Sequence, residues 1–158
     1  MSGQALGPVT AGGRPDLARV AGAGAFAVVL ATLANLVMAG VARAVLKVPG
    51  DFMPLAPGPV SFLTLAAGTA GVGVFVLLVL FTARPLRWFR LTVVTVALVS
   101  TLSPLGLLLD RSRVPSTSGR AVAAAVLLHL VAGTVILWLL TTRSGVRAKA
   151  GSRPDRQA

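Results

Sequence analysis

Apolar and polar positions along this chain fall into long blocks rather than alternating residue by residue. Four stretches, 20–42, 60–83, 91–109 and 121–142, contain no Asp, Glu, Lys or Arg. A bilayer core about 30 Å thick is crossed by about 20 apolar helical residues, and each stretch is near that length. In lipid, backbone groups must be satisfied inside a helix or a closed barrel. Continuous apolar runs lack the two-residue alternation of a barrel strand. The pattern therefore predicts an all-α fold, a four-helix transmembrane bundle over residues 20–142 with disordered polar termini at 1–19 and 143–158. The first stretch exceeds the roughly 7–15 apolar residues of a signal peptide. With no clear small-x-small cleavage site after it, it is read as a retained helix.

The connection between the first two stretches, Lys47 to Pro59, holds Pro49, Pro54, Pro57 and Pro59 with Phe52, Met53 and Leu55 between them. Four prolines forbid a regular helix or a central strand there. Its apolar side chains suggest a segment resting on the mouth of the bundle, either as a stiff connector or as a lid over a site.

Composition agrees with the pattern. Hydrophobic residues make up 55% of the chain and charged residues 12%, about half the charged share of a soluble domain. A formal net charge of +11 raises nucleic acid as a partner, but the basic residues sit in short clusters between the apolar runs. No basic face is interleaved with aromatics as in a single-strand binder, so nucleic acid is not expected. Arg14, Arg19, Arg84, Arg87, Arg90, Arg143, Arg147, Lys149, Arg153 and Arg156 lie on the side that holds both termini. Arg43, Lys47, Arg111, Arg113 and Arg120 lie on the other. Positive residues favour the cytoplasm, so both termini are expected there, with Trp88 and Trp138 at the inner interface. The C-terminal basic tail reads as a topology signal, or as a segment lying against anionic headgroups. The chain has no cysteine, which excludes disulfides and thiolate chemistry. A strong preference for Arg over Lys, with abundant Ala, Gly and Val, suggests a high-GC bacterium and a multi-pass protein of its inner membrane.

Polar side chains inside the spans are the leads to function. The strongest are Asn35, Thr64, Ser100, Ser103 and His129. Counted from the expected span ends at the helical rise, they lie about 6 to 13 Å below the outer surface. Ala23, Ala27, Ala31, Asn35 and Ala39 recur every four residues, as do Ala121, Ala125, His129 and Gly133, while Thr64, Gly68 and Gly71 share a face. Small residues mark packing faces in membranes, so Asn35 and His129 should point at neighbouring helices. Pro104 should kink the third helix and strand the carbonyl of Ser100; Asn35 or His129 is expected to donate to that oxygen and tie three helices together.

Three readings of this cluster are open. It is a hydrogen-bonded packing core, at roughly 1 kcal/mol per contact; a small-ligand or proton-handling site around His129, the residue type that exchanges protons near neutral pH; or a haem site, which lacks an opposing His or Met within the chain. No carboxylate pair, HExxH motif or Ser–Lys pairing is present, and a Ser–His dyad from Ser100 or Ser103 with His129 would need a nucleophile motif. The missing membrane glutamate separates the chain from small multidrug antiporters. No enzymatic activity, metal or cofactor is expected.

The sequence resembles a family of uncharacterised four-helix membrane proteins of actinobacteria. The likeness covers roughly residues 20–142 and rests on Phe52-x-Pro54-Leu55 followed by Thr64, on Val99-Ser100-x-x-x-Pro104, and on Leu128-His129-Leu130-Val131-Ala132. It implies the four-span topology and no activity. The expectation is a structural or accessory component working through helix packing. The alternative is a small transporter or ligand-binding protein using a pocket around His129. Its partners would be the lipid bilayer and a second copy or another membrane protein.

Overall fold

The structure is a computed structural model and describes residues 16–110, 114 and 116–146. The expected disorder of 1–15 and 147–158 lies outside these residues. Four helices make up the fold: α1 Leu17–Leu46, α2 Pro57–Phe81, α3 Pro85–Gly106 and α4 Gly119–Arg143. All four are long and apolar enough to cross a membrane. A single 3-10 turn, Met53–Leu55, lies between α1 and α2. The start of α1, the end of α4 and the α2–α3 turn are at one end of the bundle, called here the terminal end. The two longer connections are at the other, the loop end.

Local chemistry sets the helix boundaries. Asp16 caps α1 by accepting from the backbone N–H of Arg19 at 3.1 Å, satisfying one of the orphan donors of a helix start. Ser118 does the same for α4 through Ala121, at 3.2 Å. At its far end α1 passes into Lys47, which is left-handed at φ 54°. Gly145 follows α4 with φ 71°, a left-handed conformation that favours glycine.

The boundaries differ from the expected spans in instructive ways. α1 begins at Leu17 and runs on to Leu46, so Arg43 is helical rather than in a loop. α3 starts at Pro85 instead of Leu91 and carries Arg87, Trp88 and Arg90 in its first turns. The proline-rich connection is shorter than expected. Pro57 and Pro59 form the first turn of α2, where a missing N–H costs nothing because it would have no intrahelical partner.

The helices form a ring in the order α2, α1, α4, α3. α1 packs extensively on both α2 and α4, α3 packs on α4, and the ring is loosest between α3 and α2. Close approach depends on glycine. A Cβ on Gly24 would come within 2.5 Å of Val72 Cγ1, and one on Gly68 would meet Val28 at 3.0 Å and Ile136 at 3.4 Å. At the terminal end, Phe75 of α2 and Phe89 of α3 are fully buried. Their ring centroids are 4.7 Å apart, and they clasp the two helices together. At the loop end, Phe52 and Leu55 are buried against Ala39, Ala42, Ala121 and Leu128. This connection therefore plugs the mouth of the bundle. Ser116 Oγ donates to Asp51 Oδ2 at 2.6 Å and links the two long connections.

Candidate functional site

Because α2 and α3 meet closely at the Phe75–Phe89 clasp and diverge beyond it, a groove opens between them with α4 as its floor. It has a volume of about 930 Å³. All five polar residues singled out in the spans, Asn35, Thr64, Ser100, Ser103 and His129, line it, and so does Pro104. No Asp, Glu, Lys or Arg is among its described lining residues.

Helix register explains why these residues meet. Gly68 sits against Val28 and Ile136. Seven residues, two helical turns, toward the loop end bring Val28 to Asn35 and Ile136 to His129, on the same faces. Gly133 faces Ala97 across the α3–α4 contact. One turn further toward the loop end, Gly133 leads to His129 and Ala97 leads to Thr101 with Ser100 beside it. Asn35, His129 and Ser100 are therefore near one level on three helices. Thr64 joins them through a bond from Asn35.

Hydrogen bonds distinguish the members. Asn35 is 4% exposed and Thr64 6%, and Asn35 Nδ2 donates to Thr64 Oγ1 at 3.0 Å. Asn35 Oδ1 is buried with no partner. Ser100 Oγ donates back to the carbonyl of Ala97 at 2.9 Å. His129 Nδ1 lies 2.8 Å from the carbonyl of Ala125. A carbonyl only accepts, so Nδ1 carries the proton, and in the neutral ring Nε2 is left as an acceptor. Ser103 is on the exposed side of α3.

One expectation is corrected by this geometry. Neither Asn35 nor His129 bonds the carbonyl of Ser100: the amide reaches across to α2, and the imidazole is satisfied one turn back on its own helix. Pro104 stands inside α3, two residues before the helix ends at Gly106, and cannot donate to the Ser100 carbonyl. The chain leaves through successive tight turns, with Leu107, Leu108 and Leu109 N–H groups bonding three residues back.

The expected small faces divide into two kinds. Ala27, Ala31, Ala39, Ala121, Ala125 and Gly68 are buried between helices. Gly71 has open space beside its Cα and lines the groove. Sequence reasoning missed Arg43, whose Nε and Nη2 are buried without acceptors. It fell just beyond the expected span end and was counted as a topology charge. The apolar rhythm continuing through Ala44, Val45 and Leu46 was the signal that the helix runs past it.

Residues 15–146 match the Family of unknown function (DUF6069), and the chain belongs to that family. No curated protein and no solved structure matches the chain.

Proposed function

We propose that this is a non-enzymatic membrane protein that binds a lipid-soluble molecule in the groove between α2 and α3. The groove, lined by every polar residue singled out in the spans, carries the reading. Its 930 Å³ falls at the upper end of the roughly 300–1,000 Å³ of small-molecule pockets. A cluster serving packing alone would have its buried polar atoms bonded, whereas Asn35 Oδ1 has no partner. Between Val60 and Val74 the groove follows α2 for fourteen residues, about 21 Å, and its lining there is mostly apolar, as an extended hydrocarbon chain requires.

The membrane we assign is the plasma membrane of a high-GC bacterium, on the Arg-, Ala- and Gly-rich composition. Both termini are cytoplasmic in this reading, supported by the excess of basic residues at the terminal end and by exposed Trp88 and Trp138 near that end. The loop end then faces outward. A second reading is an accessory component that docks a second copy or another membrane protein; the small residues Ala67, Ala70 and Gly71 along the α2 wall support it. Nucleic acid is a partner in neither.

Gly71→Leu separates these readings. A Cβ at Gly71 meets nothing within 4 Å, so leucine fills the groove without straining the bundle. Native mass spectrometry of protein extracted with its lipids should show wild type carrying a bound small molecule and Gly71→Leu lacking it, with helicity and melting temperature retained. Wild type that carries no small molecule but forms dimers lost in Gly71→Leu would instead support the accessory reading.

A further inference from the structure

We infer that the occupant of the groove is an uncharged lipid carrying a hydroxyl, a long-chain or isoprenoid alcohol in chemical class, with its O–H at the level of Asn35 and His129. This rests on the ligand-binding reading above and deepens it. The groove presents unmet acceptors. Asn35 is 4% exposed, lines the groove, and holds Oδ1 buried without a donor. An unsatisfied buried carbonyl costs the full desolvation of that atom, which a donor on a bound molecule recovers when the Asn35 side chain turns Oδ1 toward the groove. His129 supplies the second acceptor. Its Nδ1–H is engaged by the Ala125 carbonyl, so Nε2 is the free ring atom, and the residue is only half-buried and lines the same groove.

Charge narrows the class further. With no Asp, Glu, Lys or Arg among the described lining residues, an ionised headgroup at this level would meet no permanently charged counter-ion, and burying it unpaired is prohibitive. A carboxylate or phosphate would also set its oxygens against two acceptors. An ether or hydrocarbon would leave both acceptors unmet. A hydroxyl supplies the donor and carries no charge.

Among the described residues the lining on either side of that level is mostly apolar, with the hydroxyls of Thr92 and Ser103 as its polar members. Toward the terminal end it passes Gly133 and Ile136 to Phe89. The seven residues from His129 to Ile136 correspond to about 10 Å of wall for a chain. Because both unmet acceptors stand at the Asn35–His129 level, the hydroxyl is held inside the bilayer rather than at its surface.

The test is a binding titration of the full delipidated chain in detergent, read by native mass spectrometry. The probes are 1-hexadecanol, its methyl ether 1-methoxyhexadecane, and hexadecanoate. The alcohol should bind wild type about tenfold more tightly than the ether, which lacks the donor, and hexadecanoate more weakly than either. His129→Phe and Asn35→Leu should each narrow the alcohol-to-ether ratio toward one while retaining ether binding, which also shows that the variants are folded. Equal binding of alcohol and ether by wild type, or tightest binding of the carboxylate, would overturn the hydroxyl assignment and leave groove binding standing. Binding of no probe, or binding unaffected by Gly71→Leu, would overturn both.

Discussion

α1 and α3 are both apolar helices of one bundle, yet their surroundings differ sharply. In their most apolar windows, 39% of α1 is buried inside the protein and 11% of α3. α3 is also the least apolar of the four, but α2 and α4 are slightly more apolar than α1 and yet less enclosed, so enclosure does not follow hydrophobicity. Hydrophobicity does not cause the difference, since lipid tails solvate Leu and Val as well as a protein interior does. Small side chains cause it. α1 presents Gly24, Ala27, Ala31 and Ala39, all buried, and its backbone comes close to two neighbours. α3 presents Val94, Val96, Leu98, Val99 and Leu102, all exposed. α3 is clasped to α2 at one end by Phe89 and stands apart from it at the other. The groove follows from that one-ended attachment.

Substitutions can break this contrast, and the largest effect should fall on α1. Gly24→Leu drives a side chain into Val72, whose β-branched atoms have little freedom to move. Overpacking of this kind costs about 1–3 kcal/mol, so a marked fall in melting temperature in detergent is expected; an unchanged melt would show that α1 and α2 are not held by this contact. Phe89→Ala should come second. It removes the aromatic clasp at about 1–2 kcal/mol, less than the roughly 3–5 kcal/mol of a soluble core because helices separating in lipid expose nothing to water. Spin labels on α2 and α3 at the terminal end should then show a broadened distance distribution, while α1–α4 distances stay put. Smallest is Leu98→Ala on the exposed face of α3, expected within about 0.5 kcal/mol of wild type. A larger loss would mean that this face is covered by a partner in the sample.

Much of this molecule was legible one residue at a time. Four charge-free blocks define four helices, since lipid permits no other backbone arrangement for such runs. The four-residue recurrence through Ala27, Ala31, Asn35 and Ala39 marks a packing face by local geometry. Even the five polar residues of the groove could be chosen in advance, because an uncompensated polar group in a span is expensive wherever it points. Helix ends were less legible. Pro57 and Pro59 read as breakers, yet they serve as first-turn residues, and proline's meaning depends on which turn it occupies.

Sequence alone therefore determined the spans, the small-residue faces and the polar candidates, all properties of one helix and its solvent. Tertiary structure decided who bonds whom. Asn35 reaches Thr64, twenty-nine residues along the chain, and His129 turns to its own helix at Ala125. It also decided that α3 diverges from α2. Those outcomes depend on the register between helices, which Gly24, Gly68 and the Phe75–Phe89 pair set together. No single span carries that information, because register is a property of surfaces in contact.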